Sequence, residues 1–224
     1  MMIAPFRMFD GYNDVLDIHL FAREDAIDSD EKIADALQTK NLVSLKQVHG
    51  KKTVILREPS RRIIEADGVW TDEKDLTLTI RVADCQALVA YDPKNQIIGI
   101  LHAGWKGLVN GAIKNFIAAY EREWKGNPND LIVGIAPCLC VKCAEFTDPT
   151  RELIGIDPQF FHGRNADLRA IADSQLMAAG IQKSHIERLT DCTKCENEKW
   201  WSYRGGDKEK VMKGSTNVMT CRLK

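Results

Sequence analysis

The sequence predicts an α+β fold in which strands outnumber helices. Many short runs are apolar or alternate apolar with polar residues, and Gly, Pro, Asn or Asp bound them, as expected of strands. These runs are residues 15–21, 42–45, 53–56, 66–72, 76–82, 85–91, 96–102, 131–135, 186–189 and 217–223. Two longer stretches, residues 108–124 and 165–179, carry apolar side chains at helical spacing and predict helices.

Local signals define several element ends. Asp28-Ser29-Asp30 is typical of a helix N-terminus and predicts a short capped helix after it. Residues 57–62 are polar and include a proline, so we expect a loop there. Gly126-Asn127-Pro128 ends the helix predicted over residues 108–124.

Length and composition are those of an ordinary globular protein. The 224 residues contain 44% apolar and 28% charged residues and show no repeat or linker, so we expect one domain spanning residues 1–224. A net charge of -1 gives no general reason to bind nucleic acid or an anionic membrane. The chain contains no apolar run of about 18 residues and its start lacks a signal-peptide layout, which predicts a cytoplasmic protein. The sequence does not indicate an oligomeric state.

Chemically useful residues lie at both ends of one predicted hairpin. Cys85 opens its first strand, His102 closes its second, and Asp92-Pro93-Lys94-Asn95 forms the turn. Antiparallel neighbours would carry both side chains at the same end of a sheet. Thiolate and imidazole are zinc ligands and also a usual nucleophile and base. Gly104 and Lys106 follow at a predicted helix start, where free N–H groups favour an anion.

Other candidate residues lie outside this hairpin. His49 precedes Gly50 near a strand end, where it either points into a cleft or lies on the surface. The spacing of Cys140-x-x-Cys143 and Cys192-x-x-Cys195 is that of a four-thiolate zinc site. Reduced thiols in a cytoplasmic protein also need no metal, and both interpretations of these four cysteines stay open.

Five motifs, taken together and in this order, resemble the bacterial family long labelled polyphenol oxidase or laccase-domain proteins. They are Lys46-Gln47-Val48-His49-Gly50, Ala66-Asp67-Gly68-Val69, Ala83-Asp84-Cys85, His102-Ala103-Gly104-Trp105-Lys106-Gly107 and Ser202-Tyr203-Arg204. Members are described as zinc-dependent purine nucleoside phosphorylases that also deaminate adenosine. The resemblance implies two mixed β-sheets flanked by helices, in α/β/β/α layers.

The resemblance also implies a site. His49, Cys85 and His102 match the family's metal ligands, with zinc as the expected ion and copper as an alternative at the same residues. Asp84 matches the carboxylate beside the cysteine, which would orient an imidazole or accept a proton. The expected contacts to substrate or phosphate are Arg23, Gln47, Arg81, Trp105, Lys106 and Arg204.

Two departures from the family bear on the substrate. After the arginine that Arg23 matches, relatives usually have a Gly-Gly loop, whereas this chain continues directly into Glu24-Asp25-Ala26. The family's second arginine after Tyr-Arg is replaced by Gly205 here.

The histidine count argues against multi-copper chemistry. The chain has five histidines, too few for a four-copper oxidase, which needs many imidazoles.

The sequence is compatible with three functions. A zinc ion with three protein ligands keeps a position for water, which suits deamination of adenosine, or phosphorolysis if phosphate is held near the ribose. The expected partners are then a nucleoside and phosphate. Without metal, Cys85 as nucleophile and His102 or His49 as base would form an amide hydrolase that edits cell-wall precursor peptides or deamidates. A chain without the substrate loop would be a non-catalytic zinc-binding interaction protein.

Overall fold

The computed structural model describes residues 5–59 and 63–224. Residues 1–4 and the last three residues of the predicted loop 57–62 lie outside the described part. None of the helices in that part has the length and apolarity that a bilayer crossing requires.

The described chain contains the following helices and strands. They are β1 (Leu16–Phe21), α1 (Asp30–Leu37), β2 (Leu42–Ser44), β3 (Thr53–Ile55), β4 (Gly68–Thr71), β5 (Thr77–Val82), β6 (Gln86–Asp92), β7 (Ile97–Ala103), α2 (Trp105–Asn110), α3 (Ala112–Trp124), β8 (Ile132–Ile135), α4 (Pro149–Glu152), β9 (Phe161–His162), β10 (Asn165–Ala166), α5 (Leu168–Ala178), β11 (Ile186–Arg188), α6 (Lys208–Met212) and β12 (Asn217–Leu223).

Two mixed β-sheets form the framework, which confirms the predicted α+β class. The smaller sheet has four strands in the order β1-β12-β5-β2, and the larger has six in the order β11-β8-β6-β7-β4-β3. Each sheet combines antiparallel pairs with parallel ones, namely β2 with β5, β3 with β4, and β8 with β11. The predicted hairpin is the antiparallel pair β6 and β7 in the middle of the larger sheet.

Buried apolar clusters define the layers. One cluster, which includes Ile80 of the smaller sheet and Val89 of the larger, lies between the two sheets. A second joins the outer face of the larger sheet to α3 and α5, through residues such as Phe116. A third packs Ile33 of α1 against Val218 of the smaller sheet. The order is therefore helices, sheet, sheet and helix, as the resemblance implied.

The two predicted helices need correction. The stretch 108–124 is not one helix but α2 and α3, because Gly111 adopts a left-handed conformation (φ 78°) between them. The helix predicted over residues 165–179 begins later, at Leu168. Asn165–Ala166 instead pairs with Phe161–His162, and the Asp167 carboxylate accepts the N–H of Ala170 to cap α5.

Candidate metal centre

Three elements bring His49, Cys85 and His102 together. His49 lies in the loop between β2 and β3, Cys85 immediately precedes β6, and His102 lies in β7. Their ligand atoms are all within 4.8 Å of one another, and the two imidazole rings meet edge to face with centroids 4.7 Å apart. A tetrahedral zinc ion separates its nitrogen and sulfur ligands by about 3.5 Å, so the donor set and its spacing fit such an ion.

Gly104 provides the space in which the three side chains meet. A Cβ atom at this position would lie 2.8 Å from Cys85 Sγ and 3.1 Å from His49 Cδ2. The register of β6 and β7 explains this approach, since Gln86 pairs with Ala103 and Cys85 therefore lies beside Gly104. Any other residue at position 104 would displace the ligands.

Asp67 holds the two histidines, and the sequence interpretation assigned it no role. His102 Nδ1 donates to Asp67 Oδ1 at 2.8 Å, and both side chains are buried, at 2% and 0% exposure. The backbone N–H groups of His49 and Gly50 donate to the same carboxylate at 2.9 and 2.7 Å. With Nδ1 committed to Asp67, His102 presents Nε2 to the cluster, which is the usual arrangement of a ligating histidine and its supporting carboxylate.

Hydrogen bonds within the cluster shift its pKa values. Burial opposes ionisation of Cys85, but hydrogen bonds with His102 and His49 outweigh it and lower the pKa of the thiol to about 6. Burial also disfavours the charged form of His102, but Asp67 and Cys85 raise its pKa to about 9. Burial would raise the pKa of Asp67, and the hydrogen bonds from His102, Gly50 and His49 lower it instead. The metal-free site therefore favours a thiolate beside an imidazolium at neutral pH.

In the described part of the chain, the hydrogen bonds of the Asp84 carboxylate go to residues other than the two histidines, in contrast to the expected orienting role. Its Oδ1 accepts from Thr193 Oγ1 at 2.7 Å and Ser202 Oγ at 2.6 Å, and its Oδ2 accepts the N–H of Arg204 at 2.7 Å. Asp84 has a positive φ of 86° and lies in the corner where the chain passes from β5 in one sheet to β6 in the other. Its three hydrogen bonds fix this corner, and with it the neighbouring Cys85, against the segment containing Thr193 and Ser202.

A cavity of about 500 Å³ opens beside the cluster. Four of the six predicted substrate residues line it, together with apolar residues from α5 and the segment before α4. The lining includes Gln47, Arg81, Trp105, Leu139, Leu168 and Arg204. Arg23 and Lys106, the other two predicted contacts, are not among the described residues that line the cavity.

Gln47 and Arg81 form a fixed pair at the wall. The Gln47 side-chain amide donates to Arg81 O at 2.8 Å and accepts the Arg81 N–H at 2.9 Å, so both of its ends are occupied. Arg81 Nη2 pairs with Asp30 Oδ1 at 2.9 Å. Arg81 Nη1 is buried and has no hydrogen-bond partner among the described residues. The Arg81 side chain also lines the cavity, where its positive charge is suited to an anion.

Arg23 has a structural role in place of the predicted one. Its guanidinium forms a salt bridge with Asp207, donates to Trp200 O at 3.1 Å and lies 4.0 Å from the centroid of the Trp201 ring. These contacts hold the end of β1 against the chain before α6. Lys106 is exposed, and its Nζ lies 5.5 Å from the ring centroid of Trp105.

Trp105 and Arg204 both line the cavity and both pack against Phe146. The Trp105 ring packs edge-on against Phe146 with centroids 5.8 Å apart, and the Arg204 guanidinium lies 5.3 Å from the same ring. Arg204 Nη1 also donates to Glu145 O at 2.5 Å. An aromatic ring and a cation thus lie on the same side of the cavity.

The four cysteines of the two Cys-x-x-Cys motifs also converge. The sulfur atoms of Cys140, Cys143, Cys192 and Cys195 lie within 4.8 Å of one another. Among the described residues, this group and the His49, Cys85 and His102 group are the two that could hold a metal ion.

Comparison with known proteins identifies the family. The profile described as multi-copper polyphenol oxidoreductase laccase matches residues 18–219. The chain belongs to this laccase family. Purine nucleoside phosphorylase YlmD from Geobacillus stearothermophilus is 26% identical over 205 residues, covering 81% of this chain and 74% of that protein. Purine nucleoside phosphorylase RP494 from Rickettsia prowazekii is 35% identical over 118 residues, covering 53% of this chain and 48% of that protein.

A solved structure shares the fold of this chain. The crystal structure of the hypothetical protein YfiH from Bacillus licheniformis superposes with a TM-score of 0.83, covering 99% of this chain and 100% of that chain at 22% identity. Relatives in the laccase family are thus named as purine nucleoside phosphorylases, whereas the profile carries an oxidase description. In this member, two histidines and one cysteine converge in the site beside the cavity, which is far fewer imidazoles than a multi-copper centre uses.

Proposed function

We propose that this chain is a zinc-dependent purine nucleoside phosphorylase that also deaminates adenosine. The observation that carries the proposal is the convergence of His49, Cys85 and His102 within 4.8 Å at the edge of a cavity of about 500 Å³. A cavity of this volume is in the range that holds a small ligand such as a nucleoside. The names of the relatives support the same reaction class.

Zinc is the proposed ion because of its donor set. One thiolate and two imidazoles suit zinc, and copper is the alternative at the same atoms. Bound there, zinc would act as a Lewis acid through a fourth, exchangeable position. The residues of the chain maintain that arrangement: Asp67 orients His102, and Gly104 leaves room for the ligands to approach.

The cavity lining offers positive charge for a phosphate and apolar surface for a purine. Arg81 and Arg204 both line the cavity, and their two positive charges support a phosphate position. In phosphorolysis a phosphate oxygen attacks C1′ of the ribose, and the base leaves with the electron pair of the glycosidic bond and takes up a proton. Trp105, Leu139 and Leu168 offer apolar surface for the purine.

The test is turnover of adenosine with and without phosphate. Separation of adenine, inosine and hypoxanthine distinguishes the reactions: phosphate-dependent adenine indicates phosphorolysis, and phosphate-independent inosine indicates deamination. The Cys85→Ala variant is the control and should form neither product. Absence of turnover in the zinc-loaded protein under both conditions would refute the proposal.

A metal-free cysteine hydrolase is the second candidate. The low pKa of Cys85, about 6, supports it, because a thiolate next to an imidazolium is the reactive pair of cysteine hydrolases. Such an enzyme would keep its amidase activity after chelation and lose it with iodoacetamide. The zinc enzyme would lose its activity on chelation, and its bound ion would protect Cys85 from iodoacetamide.

A cytoplasmic location belongs to the same proposal. All seven cysteines are free thiols, as a reducing compartment would keep them.

A further inference from the structure

We propose that Cys140, Cys143, Cys192 and Cys195 bind a second, structural zinc ion. Cys143 Sγ lies 3.5 Å and Cys140 Sγ 3.9 Å from Cys195 Sγ. Zinc bonded to four sulfur atoms at 2.3 Å in a tetrahedron separates them by about 3.8 Å, which these two distances bracket. A disulfide would require a separation of about 2.05 Å. The four thiols are thus spaced as around an ion.

Backbone hydrogen bonds orient these thiols and favour their thiolate form. The Cys140 N–H donates to Cys192 Sγ at 3.3 Å, a bond that favours a thiolate. Within the first motif the Cys143 N–H donates to Cys140 O at 3.0 Å, which closes a tight turn and points both thiols the same way. Each motif also contains an exposed lysine, Lys142 or Lys194, and these two positive charges would offset the double negative charge of a zinc tetrathiolate.

Arg169 holds the two loops together independently of any ion. Its guanidinium donates to Cys138 O and Asp191 O at 2.7 Å, and to Leu139 O and Thr190 O at 3.1 and 2.8 Å. These carbonyls immediately precede the two cysteine motifs. A partly buried hydrogen-bond network therefore brings the four thiols to one place, which reduces the entropy that zinc binding must cost.

The second ion would stabilise one wall of the cavity. Leu139 adjoins the first motif, and Thr193, inside the second, donates to Asp84 at the corner beside Cys85. Four thiolates leave no open position, so this zinc would have a structural and not a catalytic role. The inference goes beyond the proposed function and does not depend on it.

Metal analysis tests the inference. Protein purified under reducing conditions should hold two zinc ions per chain by mass spectrometry of the metals. Cys195→Ser, which changes the exposed ligand, should leave one, Cys85→Ala should leave one, and the combined variant none. Cys138→Ser is the matched control, because this cysteine lies beside the cluster and outside it, and it should retain both ions.

The metal analysis distinguishes failure of the second-zinc inference from failure of the proposed zinc enzyme. If wild type holds one zinc that Cys195→Ser removes, the second site stands and the zinc enzyme is refuted. If wild type holds one zinc that Cys85→Ala removes, or if these four cysteines hold iron or form a disulfide, the inference is overturned.

Cobalt substitution gives a readout that does not require a cysteine variant of the cluster to fold. In the Cys85→Ala protein the first site has lost its thiolate. A strong thiolate-to-cobalt charge-transfer band in that protein must therefore come from the four-cysteine site. Absence of the band would overturn the inference.

Discussion

Asp67 and His102 form a buried ion pair, with Oδ1 of the carboxylate 2.8 Å from Nδ1 of the imidazole. The pairing of β4 with β7 produces it, since Gly68 lies opposite Leu101 and the residue before Gly68 therefore lies opposite the residue after Leu101. The Asp67 carbonyl accepts the His102 N–H at 2.7 Å as part of the same ladder. One aspartate thereby fixes His102, a proposed metal ligand, through both its backbone carbonyl and its side chain.

Replacement of Asp67 should weaken metal binding. Asp67→Asn retains the size but removes the charge that holds His102, and loss of such a supporting carboxylate typically costs about 10- to 100-fold in metal affinity. Competition with a zinc chelator measures the change. Asp130→Asn, at the surface ion pair with Lys94, is the control and should leave the affinity unchanged. An affinity equal to wild type in Asp67→Asn would contradict the role assigned to Asp67.

Arg81 should determine the use of phosphate. Removing a charge-assisted hydrogen bond costs about 1.5–3 kcal/mol, so Arg81→Ala should raise the KM for phosphate by about 10- to 100-fold. Deamination of adenosine needs no phosphate and should change much less. Arg23→Ala is the matched control, because Arg23 pairs with Asp207 away from the cavity lining. Equal effects of the two substitutions on the phosphate KM would argue against a phosphate position at Arg81.

Gly104 should tolerate no side chain. In Gly104→Ala the new Cβ would lie 2.8 Å from Cys85 Sγ. Such overpacking costs about 1–3 kcal/mol, and if this cost falls on the metal-bound arrangement the zinc affinity drops by about 5- to 150-fold. Gly111→Ala provides the contrast. Its φ of 78° makes alanine unfavourable by about 1–2 kcal/mol, but no atom lies within 4 Å of the new Cβ. We expect Gly111→Ala to lower the free energy of unfolding and to leave zinc affinity intact.

Alkylation of Cys85 in metal-free protein should depend on pH. The thiolate is the reactive form and the pKa of Cys85 is about 6, so the rate with iodoacetamide should rise as pH increases through 6 and level off above 7. Peptide mapping by mass spectrometry separates Cys85 from exposed Cys195. Cys221 is the internal control, because burial raises the pKa of its thiol and should keep it unreactive. Zinc loading should protect Cys85 at every pH, and a rate that rises only near pH 9 would contradict the shifted pKa.

Local patterns predicted the strands well, because alternation and turn residues act within a few positions. The hairpin of β6 and β7 follows from the sequence between Cys85 and His102, and so does the arrival of both residues at one end of the sheet. The break between α2 and α3 was missed because residues on both sides of Gly111 keep the helical spacing. A single glycine inside an apolar periodicity is also compatible with a continuous helix.

The roles of the two aspartates could not be predicted from local sequence. Asp84 adjoins Cys85 in the chain, but its carboxylate is occupied by Thr193 and Ser202, more than a hundred positions later. Asp67 is 35 positions from His102 and reaches it through strand pairing alone. The position of Asp67 directly before a buried strand indicates a buried carboxylate that needs a partner. That partner, His102, becomes evident only when β4 is placed beside β7.

The position of β12 has a consequence for biosynthesis. This strand, Asn217–Leu223, lies between β1 and β5 and pairs with both, so the smaller sheet cannot close until it is available. During translation, β1 must wait for a partner some two hundred residues downstream. The hydrogen bonds of the Asp84 carboxylate also form late, because Ser202 and Arg204 emerge from the ribosome shortly before that strand. The nascent chain therefore completes its cavity only after residues 202–223 have left the ribosome.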